Sequence, residues 1–132
     1  DAAGNCRALV EAQMMTMKLH AQWMGVQPAI IHATGGASED PTVLQVMADV
    51  FGCPVQPFAI TKSAALGAAL IAAQAWCQST GQCSDWNVLV APFTHLDSTR
   101  RVMPQATATA VYDDLLLQYA DFEQSALVSL RT

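Results

Sequence analysis

An α/β fold with short parallel strands is what this sequence predicts, on three observations. Apolar residues recur at helical spacing in four segments. Two short apolar runs, around Ile30–Ile31 and Val55, sit between the first three of these segments. Each run leads into its helix through a turn rich in small and polar residues. The order is therefore helix, strand, helix, strand, helix, loop, helix, and strands joined through a helix imply parallel pairing with a right-handed crossover.

The first helix spans Asn5 to Met24, with Val10, Met14, Met17, Ala21 and Met24 on one face and Arg7, Glu11, Lys18 and Gln22 on another. Gly25 stands where a helix ends. Met14, Met15 and Met17 read as flexible core filler. Ala29 to Ala33 then reads as a strand buried on both faces, with His32 satisfied by a backbone group. Asp40 followed by Pro41 is a strong helix start, because an acid can accept from free backbone N–H groups and proline suits the first helical position. That helix stops at Gly52 and carries two apolar stripes, Leu44, Met47, Ala48 and Phe51 against Val43, Val46 and Val50, so it should pack on two layers.

The second strand is Pro54 to Phe58, whose prolines favour an edge or an early-strand position. Thr61 offers a cap for the third helix, SAALGAALIAAQAW, and Gly67 among its alanines implies close approach of another backbone. Gln78 to Pro92 has the composition of a loop, with Trp86, Val88, Leu89 and Val90 as pinned apolar residues. A long terminal helix follows Pro104, marked by Ala108, Val111, Tyr112, Leu115, Tyr119 and Phe122, with its last residues frayed.

Composition narrows function. The chain has 132 residues, enough for one core, and 52% are hydrophobic while 13% are charged. That is about half the usual charged fraction, so the faces are expected to be covered by something else, a longer protein of which this chain is part. The longest apolar stretch, Ala64 to Ala73, holds Gly67 and falls well short of the ~20 residues a membrane span needs. Net charge is −5, with six Lys and Arg that include Arg100, Arg101 and Arg131, which argues against nucleic-acid binding. Cys6, Cys53, Cys77 and Cys83 form no C-x-x-C pair and His20, His32 and His95 lie far apart, so reduced thiols and a cytoplasmic location are expected and a zinc site is not.

TGGASEDP, Thr34 to Pro41, is the informative stretch. Glycines at the carboxyl end of a strand, directly before a capped helix, lie where ligands of open α/β sheets bind. Without a Cβ, a glycine lets a flat ring or a phosphate approach the main chain, and helix-start amides favour anions. Gly35 and Gly36 are the candidate contacts. On spacing alone a purely structural turn fits as well, because neither the Walker pattern nor G-x-G-x-x-G is present.

ATGGASEDPTVLQVMADVFGCPV followed by ITKSAALGAALIAA resembles the C-terminal portion of the FGGY-family carbohydrate kinases, most closely the xylulokinases. The likeness is strong over Asn5 to Trp76 and looser in VYDDLLLQYADFE. It implies part of a ribonuclease H-like, actin-like ATPase domain: the nucleotide-binding side of a second domain that closes on an N-terminal one over ATP and sugar. The matching site positions are Gly35, Gly36 and Ala37, and Asp40 stands where relatives often carry Asn or Ser. An ionised aspartate repels phosphate, so Asp40 caps its helix or accepts from adenine or ribose.

The resemblance further implies ATP/ADP as cofactor, Mg bound mainly outside this chain, and phosphorylation of D-xylulose to D-xylulose 5-phosphate. Phosphoryl transfer needs a carboxylate to accept the sugar proton, and the family's catalytic aspartate belongs to segments before Asp1. Asp49, Asp113, Asp114, Glu39 and Asp40 all read as structural, so no catalytic residue is assigned here and the fragment alone is expected to be inactive, with self-association of its apolar faces into a homo-oligomer. The competing readings are a non-catalytic α/β interaction module and a kinase for another sugar or polyol.

Overall fold

The computed structural model describes residues 1–82 and 85–129. Five helices and two strands alternate much as the periodicities require: α1 (Ala2–Ala21), β1 (Ile31–Ala33), α2 (Pro41–Phe51), β2 (Val55–Pro57), α3 (Ser63–Ser79), α4 (Trp86–Val90) and α5 (Ala106–Ser129). β1 and β2 pair in parallel, with Ile31 opposite Val55 and Ala33 opposite Pro57.

α2 is the centre of the molecule because it is apolar on two sides. Leu44 and Ala48 pack on Ala33 and Val55 of the sheet, while Val46 and Val50 pack on Met14 of α1 and Tyr112 of α5. The chain enters α2 through the Asp40 carboxylate, which accepts from the Thr42 amide at 2.7 Å, with Pro41 at the first position. It leaves through Gly52, whose φ of 69° is the left-handed conformation that glycine adopts without strain. Both ends of this helix are thus set by the residues that mark them in the sequence.

α1 and α5 form the outer layer, tied by Thr16 to Tyr119 at 2.8 Å, by Tyr112 donating to Glu11 at 2.8 Å, and by His20 against Glu123 at 2.9 Å. Lys18 donates both to the Val50 carbonyl and to Asp113, each at 2.8 Å, and so joins α1, α2 and α5. Asp49, buried on α2, accepts from the Gln45 side chain at 2.9 Å and from the Gln105 amide at 2.7 Å, just before α5 begins. The second of these bonds joins α2 to the start of α5.

Several expectations are corrected. β1 is not buried on both faces: Ala33 is buried, but His32 is exposed and its ring stands 5.9 Å from that of Phe58, because among the described residues the sheet has two strands and that face is left open. β2 lies at the edge of the two-stranded sheet formed by the described residues, as its prolines led one to expect, yet it is covered. All three of its residues are buried, and Val102 bridges Val55 on the side away from β1. Its prolines are tolerated because Pro54 precedes the strand and Pro57 ends it. The loop expected over Gln78–Pro92 contains the last residues of α3, then α4, which Asp85 caps by accepting from the Asn87 amide at 2.9 Å. Trp86 and Val88 are exposed rather than pinned.

α3 holds no buried residue, and a Cβ at Gly67 would meet open space, so the close backbone approach expected there has no partner in the described residues. Along α5 the buried face is Tyr112 and Leu116, whereas Val111, Leu115 and Phe122 are exposed. Met17 is likewise exposed. Cys6, Cys53 and Cys77 are free thiols. Cys83, Arg131 and the three terminal residues expected to fray lie outside the described residues.

Candidate functional site

The stretch after β1 folds into a tight turn whose shape follows from its glycines. Gly35 has φ 92° and ψ 173°, which a side-chain-bearing residue adopts only with strain. Gly36 to Glu39 then make one 3-10 turn, with the Ser38 amide donating to the Gly35 carbonyl at 3.0 Å and the Ser38 hydroxyl to the same oxygen at 2.7 Å. Asp40 follows as the α2 cap.

A Cβ added at Gly35 or Gly36 would meet nothing within 4 Å. Tight packing therefore does not demand a second glycine: Gly35 answers to backbone geometry, and Gly36 leaves an open approach to the main chain. Gly36, Ala37 and Asp40 are exposed, Gly35 is half-buried, and Ser38 is buried. The first amides of a helical turn have no partner within it, so the peptide N–H groups at Gly36 and Ala37 begin the turn on an exposed surface. The four sequence-derived residues lie together just past the carboxyl end of β1.

Behind the turn a cavity of 490 Å³ runs between α1, β1 and α2, reaching Thr34, Ala37 and Ser38 at one end and Met14, Met24 and Phe51 elsewhere. Its walls are apolar, which suits a flat apolar group and not a triphosphate. Asp40 cannot serve phosphate either, since its carboxylate is engaged with the Thr42 amide and an anion there would be repelled.

The structure adds residues that sequence reasoning assigned elsewhere or did not single out. Thr61 does not cap α3, whose cap position is Lys62 with no side-chain hydrogen bond. Thr61 instead accepts from the Gly35 amide through its carbonyl at 3.0 Å and donates its hydroxyl to Glu39 at 2.6 Å. Arg100 donates to the Ser38 carbonyl from 62 positions further on. Thr61 carried the ordinary signal of a cap, and Arg100 carried none, because a contact between distant segments leaves no local pattern.

Among the described residues no group of three or more His, Cys, Asp or Glu side chains is placed to hold a metal ion, so these residues offer no cage for Mg²⁺. No helix of the described residues is long and apolar enough to cross a membrane.

Comparison with known proteins places these features. Residues 1–76 match the model of the FGGY family of carbohydrate kinases, C-terminal domain. The chain is similar to xylulose kinase of Rattus norvegicus, 41% identical over 128 residues that make up 95% of this chain and 23% of the rat protein. Among solved structures, it superposes on xylulose kinase from Rhodospirillum rubrum with a TM-score of 0.67 at 24% identity, covering 96% of this chain and 25% of that one. Gluconate kinase from Lactobacillus acidophilus gives a TM-score of 0.55 at 26% identity, covering 74% of this chain and 18% of that one.

The chain thus spans less than a quarter of the length of the rat relative. The actin-like ATPase architecture implied by the family resemblance is the one observed, with its short parallel strands and packed helices. With more than half of its residues inside the family model and the glycine turn, the A-D-V-F-G helix end and the alanine-rich helix in their order, the chain belongs to the FGGY family of carbohydrate kinases.

Proposed function

We propose that this chain, residues 1–132, is part of the second domain of an ATP-dependent xylulokinase and supplies one wall of its nucleotide site. The observation that carries the reading is the open glycine turn: Gly35 at a positive φ, Gly36 with nothing within 4 Å of a Cβ position, and a capped helix directly behind. Gly35 and Gly36 present main chain to ATP or ADP, and the Ala37 methyl supplies apolar contact. Asp40 orders the helix start and accepts from adenine or ribose on its free side. Bound ATP supplies the phosphoryl group that D-xylulose receives.

Three carboxylates of this chain are engaged in holding the fold. Asp49 receives Gln45 and Gln105, Glu39 receives Thr61, and Asp113 receives Lys18. In this reading the proton acceptor for the sugar hydroxyl and the contacts to Mg²⁺ come from the remainder of the kinase, its N-terminal domain included, acting in the cytoplasm.

ADP titrated into the full kinase tests the site. Amide signals of Gly35 and Gly36 should move, and Gly36→Val, which fits the free fold, should weaken ADP at least about tenfold, equivalent to about 1.4 kcal/mol. Unmoved signals together with unchanged affinity would reject the nucleotide assignment. The likeness to gluconate kinase favours one second reading, a kinase for another sugar or polyol, and the ratio of kcat/KM for D-xylulose and gluconate decides between them.

A further inference from the structure

The segment Leu96–Val102 runs antiparallel along β2 as a strap. It bridges β2 at both ends, Leu96 with Phe58 and Val102 with Val55, both antiparallel. Between these anchors the Asp97 amide donates to the Pro57 carbonyl at 2.9 Å. The Asp97 carboxylate then accepts from the Thr99 amide at 3.0 Å and from the Thr99 hydroxyl, closing a 3-10 turn over Ser98–Arg100. That turn delivers Arg100 to the Ser38 carbonyl. The glycine turn is consequently gripped from two sides: Thr61 holds its beginning through the Gly35 amide and its end through Glu39, and Arg100 holds its middle.

Two adjacent glycines have the greatest backbone freedom of any pair, so an unsupported turn would have to be ordered when ligand arrives, at an entropic cost to affinity. Holding Ser38 and Glu39 in place removes that cost while leaving Gly36 and Ala37 exposed. A charge-assisted hydrogen bond such as that of Arg100 is among the stronger ways to do so.

We propose that Arg100 and Thr61 are positioning residues for nucleotide binding, which pre-order the Gly35–Ala37 backbone without touching the ligand. This rests on the nucleotide reading of the turn, and the test separates the two. In the full kinase, amide exchange over residues 34–40 is measured without nucleotide, alongside the ADP dissociation constant and the KM for D-xylulose. Arg100→Ala should speed exchange in that stretch and weaken ADP about fivefold to tenfold, with the KM for D-xylulose unchanged. Arg100→Lys, which keeps a charged donor, should recover part of both effects. Thr61→Val, which removes only the hydroxyl bond to Glu39, should act in the same direction and serves if Arg100→Ala does not fold.

Exchange and ADP affinity that stay at wild-type values in both Arg100→Ala and Thr61→Val, while Gly36→Val weakens ADP, would overturn the positioning role alone. Unchanged ADP affinity in Gly36→Val, together with Gly35 and Gly36 amide signals that ADP does not move, would overturn the nucleotide reading and this proposal with it. A rise in the KM for D-xylulose equal to the loss in ADP affinity would also overturn it, since that pattern is general destabilisation.

Discussion

Asp97 shows how a single half-buried side chain organises a distant site. Its hydrogen bond from the Thr99 hydroxyl is the largest influence and lowers its pKa; desolvation opposes this, and the Thr99 and Arg100 backbone bonds and the Arg100 charge add smaller lowering effects. A carboxylate lowered in the folded state stabilises that state above its ordinary pKa, and the contribution is lost as pH falls through the lowered value. The Ser98–Arg100 turn should therefore loosen only below about pH 4, the ordinary aspartate value. The Thr99 amide proton signal followed by NMR should titrate with a midpoint under that value and lose its titration in Asp97→Asn. A midpoint at or above it would contradict the bond network. At residue scale the sequence announced Asp40, Gly35 and Gly36 because caps and positive-φ turns have local signatures; Arg100 has none, since its partner lies on another segment.

At the scale of elements, α2 was legible down to its ends. Asp40, Pro41 and Gly52 act within a few residues of themselves, and its two apolar stripes could only mean two packed layers. Gly52 also carries a tertiary constraint. A Cβ there would lie 3.2 Å from the Thr109 methyl of α5, on top of the strain of φ 69°. Gly52→Ala should accordingly destabilise the protein by about 1–2 kcal/mol, read as a lower denaturant midpoint, and Thr109→Ser, which removes the methyl, should recover part of the loss. No effect of Gly52→Ala would mean that α2 and α5 do not meet as described. β2 and α5 were read less well. Strand or helix came out right, but the full burial of β2, and Leu115 against Leu116, depend on what packs alongside.

At the scale of the whole molecule the apolar composition has a visible consequence. Trp23 is 84% exposed, Trp76 67% and Phe122 69%, and the small residues of α3 face no partner among the described residues. Exposed apolar surface of this kind drives association. The 132-residue chain by itself should therefore self-associate in a concentration-dependent manner by light scattering, and should give no turnover with ATP and D-xylulose in a coupled assay. A stable monomer would place the exposed residues among ordinary surface, and clear turnover would show a proton acceptor within this chain.

What the sequence determined by itself was the two strands and the helices other than α4, their order, the parallel pairing of the strands, and the position of the glycine turn. Each depends on interactions spanning a few residues: helical period, β-branched runs, an acid before a proline, a glycine where φ turns positive. The tertiary structure alone decided which face of each element is buried, that Thr61 braces the turn instead of capping α3, and that Arg100 reaches Ser38. Those outcomes depend on residues brought together from 22 to 62 positions apart, and proximity of that kind arises from packing on α2 and the sheet, which no local spacing encodes.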